Sequence, residues 1–213
     1  MERNKVAGPD KIPIEFYQSC WDIVKTDILE LFDDFHKCGF DMRRLNYGVI
    51  TLLPKIQDVQ KIQQFRPIYL LSCLYKWITK VLSIRLENLV DKLILKSQSA
   101  FMKGRNITSG ILCLHEIIHE TKRKKKVGVL FKINFEKAYN KINWKLLFDC
   151  LQMRGFDETW CKWIRQVVTG GTVCIKVNDS YSPYIKSHKG VRQGDPYPPS
   201  YLTLLLIASL GWS

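Results

Sequence analysis

The sequence lacks the features that mark several large classes of protein. It has no C-x-x-C pair, and its seven cysteines are scattered, which excludes a disulfide framework and favours reduced, mostly buried thiols. Its longest apolar stretch, residues 201–210, is too short to span a bilayer. The opening residues M-E-R-N-K contain no apolar segment of the kind that a signal peptide needs. We therefore expect an intracellular protein, nuclear or cytoplasmic, with no membrane segment.

Acidic side chains are scarce relative to basic ones. Asp and Glu total 20 against 33 for Lys and Arg, which gives a formal net charge of +13. This excess favours a polyanionic partner, because cations that neutralise phosphates release condensed counterions. An acidic membrane surface is the competing partner, so the charge narrows the class of partner without defining an activity.

Common catalytic motifs are also missing, and the two short patterns that could hold a metal are weak. There is no Walker-type glycine loop and no Ser/His/Asp arrangement. Residues 115–119 read H-E-I-I-H, which on a helix would place His115 and His119 on one face as zinc ligands, with Glu116 as a base. The pattern lacks the extended G-x-x-H form, and five cations follow it at residues 122–126. Those cations fit a solvated connection, a phosphate contact or a nuclear signal. Asp33 and Asp34 fit the solvated face of an amphipathic helix.

The remaining patterns predict an α+β protein of one domain or two small ones. Apolar residues at spacings of three and four predict helices, and β-branched or aromatic runs bounded by turn residues predict strands. The predicted helices span residues 14–36, 72–93, 107–122, 143–154 and 157–168. The predicted strands span residues 47–53, 127–133, 172–177 and 184–187, with the last two paired around a turn at residues 178–180.

The first candidate for a functional segment is residues 127–140, V-G-V-L-F-K-I-N-F-E-K-A-Y-N. The apolar run is flanked by charged residues and predicts a buried strand that ends near Asn134. In α/β proteins, ligands and catalytic groups gather at the carboxyl ends of strands. Asn134 is therefore the first candidate for chemistry, although its side chain carries no charge.

A second distinctive stretch, G-V-R-Q-G-D-P, occupies residues 190–196. Glycines let a backbone approach a ligand closely, while Arg192 and Gln193 offer planar donors for a phosphate or a base edge. A purely structural turn followed by a helix cap explains the same residues, so both interpretations stay open at this point.

Together these stretches resemble the reverse transcriptase domain of LINE-type (non-LTR) retrotransposons. The matching blocks, in chain order, are K-V-A-G-P-D at 5–10, I-T-L-L-P-K at 50–55, F-R-P-I at 65–68, L-L-S-C-L-Y-K at 70–76, Q-S-A-F at 98–101, F-K-I-N-F-E-K-A-Y at 131–139 and G-V-R-Q-G-D-P at 190–196. The resemblance implies a right-hand polymerase with fingers and a partial palm, built from mixed helices and a small antiparallel sheet. It assigns about residues 1–125 to the fingers and their connection to the palm, and about 126–213 to an incomplete palm.

The resemblance also implies roles for individual residues and a set of partners. Lys55 and Arg66 would contact the incoming triphosphate, Tyr139 would act as the gate against a ribose 2′-hydroxyl, and Gln193 would position the nucleotide. Arg105, Arg192 and Gly194 would contact the template and primer. The implied partners are an RNA template and a DNA primer, with Mg²⁺ as the cofactor, and the oligomeric state stays open.

Two departures from the family pattern predict a polymerase without activity. The family's metal-binding aspartate is replaced by Asn134, and the aspartate that closes the same motif is replaced by Asn140. An amide oxygen can ligate a hard cation, but it brings no charge to offset it, so productive Mg²⁺ binding is not expected. No aromatic-x-Asp-Asp motif occurs before Ser213, and we expect a truncated copy. The alternatives are a non-catalytic nucleic-acid-binding remnant, a chain with no function of its own, and a zinc hydrolase built on His115 and His119.

Overall fold

The fold was analysed in a computed structural model that describes residues 6–93, 104–131, 138–178 and 180–192, with the backbone alone at 90–92 and 138–139. Within these residues the chain forms seven α-helices, five strands and two short 3-10 turns. The helices are α1 (Ile14–Ser19), α2 (Trp21–His36), α3 (Cys73–Leu93), α4 (Ile107–Arg123), α5 (Ala138–Lys141), α6 (Trp144–Met153) and α7 (Glu158–Val168). The strands are β1 (Tyr47–Pro54), β2 (Phe65–Leu71), β3 (Thr172–Val177), β4 (Ser180–Tyr181) and β5 (Ile185–Lys186).

Polar side chains fix where several helices begin. The Asn143 side chain accepts from the backbone N–H of Lys145 at 2.8 Å at the start of α6, and Asp157 accepts from Trp160 at 2.7 Å at the start of α7. Such caps satisfy backbone donors that have no partner within the helix. Gly155 separates the two helices with φ +78°, a conformation that glycine adopts without strain. The predicted helix pair is confirmed.

The Ser72 hydroxyl likewise accepts from Tyr75 N–H at 3.3 Å at the start of α3, where the helix over residues 72–93 was predicted to begin. The predicted helix over residues 14–36 is divided into α1 and α2 at Cys20, which has φ −102° and ψ 20°. Pro13 stands at the N-cap of α1 with extended backbone.

The sheet is mixed. β1 pairs antiparallel with β2 and parallel with β3, and β3 pairs antiparallel with β5 and β4. The α+β class is confirmed, whereas the expected antiparallel sheet is not, because the chain returns to β1 through the helices between β2 and β3. A parallel neighbour requires such a long crossover. β2, which the sequence patterns did not predict, lies at the end of the strand order, where Pro67 removes no hydrogen bond from a central ladder.

The main hydrophobic core lies where α3, α6 and α7 meet the end of β2. Its most deeply buried members are large apolar side chains with almost no exposed surface: Leu71, Ile78, Leu86, Leu147, Leu151 and Ile164. β1 and β3 pair across the predicted boundary near residue 125, and the core likewise joins residues from both sides of it. The division of the chain into fingers and palm stays a prediction.

All seven cysteines lie in the described ranges and are free thiols, as expected. Cys73, Cys150, Cys161 and Cys174 are buried. Burial raises the pKa of the Cys73, Cys150 and Cys161 thiols, so these three stay protonated and unreactive at neutral pH.

The prediction of a buried strand at residues 127–133 is wrong for residues 127–131, the part of it that the structure describes. Residues 127–131 form no strand, and Val127, Val129, Leu130 and Phe131 are largely exposed. An apolar run becomes a strand only where a neighbouring strand pairs with it, and none of the described strands pairs with this one. Helix α4, which precedes it, buries none of its residues and leaves its apolar face exposed.

Over the described residues, no helix combines the length and the apolar character needed to cross a bilayer.

Candidate nucleic-acid interface

Two of the predicted phosphate-binding cations lie on one face of the β1–β2 hairpin. Leu53 pairs with Arg66 and Pro54 pairs with Phe65, and the Lys55 N–H continues the ladder by donating to the Gln64 carbonyl at 2.9 Å. Side chains alternate between faces along a strand, so this register puts Lys55 and Arg66 on the same face. Both side chains are exposed.

The tip of this hairpin is held by a local network. The Lys55 ammonium donates to the Gln63 carbonyl at 2.9 Å, while the Gln64 side chain accepts from the backbone N–H groups of Gln60 and Lys61 at 2.9 and 2.8 Å. These bonds give a ten-residue loop a defined shape. The two cations are therefore presented from an ordered hairpin, which lowers the entropy that anion binding must overcome.

Arg105 lies on a different part of the chain, in the turn before α4. Gly104 has φ +76° there, and Asn106 caps the helix by accepting from Thr108 N–H at 3.0 Å. The Arg105 side chain is half-buried. Its predicted contact with template or primer stays a prediction.

The two motif stretches that are 50 residues apart in the sequence meet at Asn140 and Gly190. A Cβ atom at Gly190 would lie 2.8 Å from the Asn140 carbonyl oxygen and 2.9 Å from its Cα atom. Gly190 N–H donates to the Ile142 carbonyl at 2.8 Å, and the Trp144 indole N–H donates to the Gly190 carbonyl at 2.8 Å. These contacts fasten the segment 187–192 to the junction of α5 and α6.

Arg192 turns its guanidinium into the protein. Its Nη2 atom donates to the Asn46 carbonyl at 3.1 Å and lies 3.5 Å from the Thr172 carbonyl, while its Cζ atom lies 5.5 Å from the centre of the Tyr75 ring. The resemblance predicted that Arg192 contacts template or primer. In the structure its described partners are two backbone carbonyls and an aromatic ring.

Asn46, which sequence reasoning missed, is the residue that connects these elements. It is completely buried, and its Nδ2 atom donates to the carbonyls of Val167 and Thr169, each at 3.0 Å. Its own carbonyl accepts from Arg192 and from Thr172 N–H. The only sequence signal was one polar residue ahead of an apolar strand, which is too common to single it out.

A small cavity of about 80 Å³ opens beside Arg192. Tyr69, Tyr75, Asn140, Lys189 and Arg192 are among the residues that line it. Burial raises the pKa of the Tyr69 hydroxyl, and the positive charge of Arg192 partly opposes this. The hydroxyl therefore stays protonated at neutral pH, and the cavity wall carries donors and positive charge.

Several predicted positions lie outside the described residues or lack a described side chain. Asn134, Gln193 and Gly194 fall outside the described ranges, and Tyr139 is described only by its backbone in α5. Their predicted roles stay predictions.

The weaker metal candidates gain no support from their surroundings. His115 and His119 are exposed on α4, and no three His, Cys, Asp or Glu side chains among the described residues are grouped closely enough to hold a metal ion. Asp33 is exposed and forms an ion pair with Lys37, one helical turn away on α2.

The basic run that follows α4 is only partly neutralised. Arg123 and Lys124 both pair with Glu120, at 2.9 and 3.2 Å. Lys122, Lys125 and Lys126 form no ion pair within the described part of the chain. The run therefore keeps a net positive charge on the surface.

Comparison with known proteins decides the family. Residues 53–210 match the family model described as "Reverse transcriptase (RNA-dependent DNA polymerase)". The chain belongs to the reverse transcriptase family. This match includes the hairpin cations, the Asn134 motif and the G-V-R-Q-G-D-P stretch.

Individual relatives of this reverse transcriptase chain are transposable-element proteins. It is 29% identical over 92% of its length to "Transposon TX1 uncharacterized 149 kDa protein" of Xenopus laevis. It is 27% identical over 73% of its length to "Retrovirus-related Pol polyprotein from type-1 retrotransposable element R2" of Popillia japonica, and 23% identical over 98% of its length to the protein of the same name from Nasonia vitripennis. It spans 15%, 22% and 20% of those three proteins, respectively.

Reverse transcriptases generally use a divalent metal such as Mg²⁺, and the donor set of this chain does not fit one well. The family resemblance implies a metal-binding carboxylate at position 134, where this chain carries the neutral amide of Asn134, and the closing aspartate of the same motif is replaced by Asn140. A hard dication prefers carboxylate oxygens, whose negative charge compensates its own. The one adjacent Asp-Asp pair in the sequence, Asp33 and Asp34, lies on α2, where Asp33 is already paired with Lys37.

Proposed function

We propose that this chain binds a nucleic-acid template–primer duplex as the fingers and part of the palm of a non-LTR retroelement reverse transcriptase, without efficient nucleotide addition. The bound duplex would be an RNA template with a DNA primer. The observation that carries the proposal is the position of Lys55 and Arg66 on the same face of an ordered hairpin, within a chain of net charge +13.

Electrostatics favour such a role for the hairpin. Two exposed cations on one face can each neutralise a phosphate, and the free energy of that contact comes largely from counterion release. We propose that Lys55 and Arg66 meet the triphosphate of a bound nucleotide or adjacent phosphates of the duplex. Tyr139 and Gln193 would complete the nucleotide site, and Arg105 and Gly194 would contact the template or primer.

The proposed lack of catalysis rests on the metal position. Phosphoryl transfer is accelerated mainly by positioning and by charge compensation at the transferring phosphate. Asn134 can orient a ligand but removes a negative charge from the position that the resemblance assigns to the metal. The chain would therefore still bind the duplex but would not add nucleotides efficiently.

Binding to an RNA–DNA primer duplex should weaken steeply with salt. The logarithm of the binding constant is expected to fall linearly with the logarithm of salt concentration, by about 0.7–0.9 per neutralised phosphate. Replacing both Lys55 and Arg66 by Met should make that slope shallower by about two units. Fluorescence anisotropy of a labelled duplex across a salt series measures both quantities.

A matched control removes the same charge elsewhere. Lys37 and Lys162 are exposed and each already pairs with a carboxylate four residues earlier in the chain, so Lys37→Met with Lys162→Met should leave the slope almost unchanged. A salt-independent affinity for the wild-type chain, or equal slope changes in the two double variants, would contradict the proposed interface.

The rate of primer extension by the wild-type chain should be lower than that of a polymerase with an intact carboxylate site by on the order of a thousandfold or more. The reason is that charge compensation at the transferring phosphate is lost. A primed RNA template with Mg²⁺ or Mn²⁺ tests this, and extension at an ordinary polymerase rate would overturn the proposed inactivity. Asn134→Asp should bind Mn²⁺ more tightly than the wild-type chain, as followed by water proton relaxation. Unchanged Mn²⁺ affinity would show that this position does not form a metal site.

A further inference from the structure

The guanidinium of Arg192 occupies a recess that is built around it. Nη2 points at the Asn46 carbonyl, 3.1 Å away, with the Thr172 carbonyl at 3.5 Å. The Tyr75 ring lies below the cation at 5.5 Å, and its hydroxyl is anchored by donating to the Val167 carbonyl at 2.9 Å. A cation held over an aromatic face and bonded to backbone acceptors has less freedom to reach a phosphate at the surface.

Gly171 is the residue that leaves room for this arrangement. A Cβ atom at position 171 would lie 2.0 Å from Nη2 and 3.0 Å from Cζ of Arg192, and 2.8 Å from Oδ1 of Asn46. Even alanine is therefore incompatible with the guanidinium in its observed place. Position 171 therefore requires glycine because of its lack of a side chain, and not because of its conformational freedom.

Burying the Arg192 guanidinium lowers the stability of the fold. The Nη1 atom of Arg192 is buried and finds no hydrogen-bond partner among the described residues, and such a donor is destabilising. A surface arginine that served only to contact a phosphate would not need this burial. The burial of Arg192 has a structural role, because its side chain connects the segment 187–192 to the start of β1 and the start of β3.

The position of Arg192 gives this connection a functional consequence. Ser187 N–H donates to the Gly171 carbonyl at 2.9 Å at one end of the segment, and Gly190 is fastened to the α5–α6 junction in its middle. Arg192 holds the other end. Gln193 follows it directly in the sequence.

We propose that Arg192 is a positioning residue, which supports duplex binding by holding the segment 187–192 in place, and that it makes no phosphate contact itself. This inference rests on the proposed duplex binding. It replaces the direct contact that the family resemblance implied for this residue.

The salt dependence of duplex binding separates the two roles. Arg192→Met should weaken binding at fixed salt by about tenfold, the ratio expected for the loss of one charge-assisted hydrogen bond, and should leave the log–log salt slope unchanged. Gly171→Ala, which displaces the guanidinium but keeps its charge, should weaken binding to a similar extent. Arg192→Lys should resemble Arg192→Met, because an ammonium cannot reproduce the planar donor geometry.

Two results would overturn the inference. The first is a slope that becomes shallower by about one unit in Arg192→Met and returns in Arg192→Lys, which is the response of a phosphate contact. The second is wild-type affinity in Gly171→Ala with the fold intact by circular dichroism. If Gly171→Ala does not fold, the slopes of the two Arg192 variants still decide between the roles.

A measurement without nucleic acid distinguishes failure of this inference from failure of the proposed function. Hydrogen exchange of the Ser187 and Gly190 amides in the free chain should be at least about tenfold faster in Arg192→Met than in the wild type, because the segment opens locally when its end is released. Unchanged exchange would refute the positioning role even if the duplex binds. Faster exchange in a chain that binds no duplex would leave the tether supported and refute the proposed function.

Discussion

Replacing Asn46 by alanine is expected to lower the free energy of unfolding by about 2 kcal/mol, since a completely buried side chain would lose two hydrogen bonds. The Thr169 carbonyl would lose the donor described for it, whereas the Val167 carbonyl would keep the Tyr75 hydroxyl. Both carbonyls lie at the end of α7, each bonded by Asn46 Nδ2 at 3.0 Å. The Oδ1 atom of Asn46 has no hydrogen-bond partner in the described part of the chain, and its removal offsets a fraction of the loss. Chemical denaturation followed by far-ultraviolet circular dichroism measures the change.

The same substitution at Asn143 is the matched control. Asn143 is exposed and caps α6 by accepting from Lys145 N–H at 2.8 Å, so its replacement should cost about 1 kcal/mol, the usual value for a helix cap. The prediction for Asn46 is refuted if Asn46→Ala is no more destabilising than Asn143→Ala. That outcome would mean that water or local rearrangement satisfies the end of α7.

Gly190→Ala is expected to destabilise the chain by about 2–4 kcal/mol, because a left-handed conformation and a steric conflict act together. Gly190 has φ +80°, and its added Cβ atom would lie 2.8 Å from the Asn140 carbonyl. Relief requires the segment to move away from α5, which would break the bonds that Gly190 makes with Ile142 and Trp144. Fluorine NMR of a chain labelled with 5-fluorotryptophan should show a shifted Trp144 signal, and denaturation gives the free energy.

Gly155 supplies the control for the conformational part of this effect. It has φ +78°, and nothing lies within 4 Å of its added Cβ atom. Gly155→Ala should therefore show only the cost of left-handed backbone, about 1–2 kcal/mol. Equal losses at the two positions would show that Gly190 does not press against Asn140 in solution.

Local signals in the sequence were reliable where short-range bonds determine the structure. Asn143, Asp157 and Ser72 accept hydrogen bonds at the helix starts where the sequence predicted them. A cap and the periodicity that follows it involve residues within one or two turns. The β3–β5 pair was predicted for the same reason, since only a short connection joins its strands.

Long-range pairing could not be predicted in this way. Residues 127–131 have the composition of a strand but no described partner, so they are exposed. β2 contains Pro67 and still forms seven pairs with β1, because it lies at the end of the strand order. Composition measures how well a segment would fit into a sheet, whereas membership depends on a neighbour that arrives from elsewhere in the chain.

The same distinction between local and long-range features applies to the candidate site. Its charge and its family motifs, including the amides Asn134 and Asn140, are written in the sequence, and the family match over residues 53–210 agrees with them. The sequence does not show that Gly190 lies against Asn140, or that Arg192 turns inward to Asn46. Each of these contacts joins residues 50 or more positions apart.

The sequence by itself determined the family, the positive charge, the starts of the main helices and the amide at position 134, where the resemblance implies a metal-binding aspartate. These are properties of residue identity and of neighbours within a few turns. The tertiary structure alone decided that Lys55 and Arg66 share a face, that Asn46 joins α7 to Arg192, and that Gly171 leaves space for the guanidinium. Such facts depend on which distant segments pack together, and packing is settled by the whole chain at once.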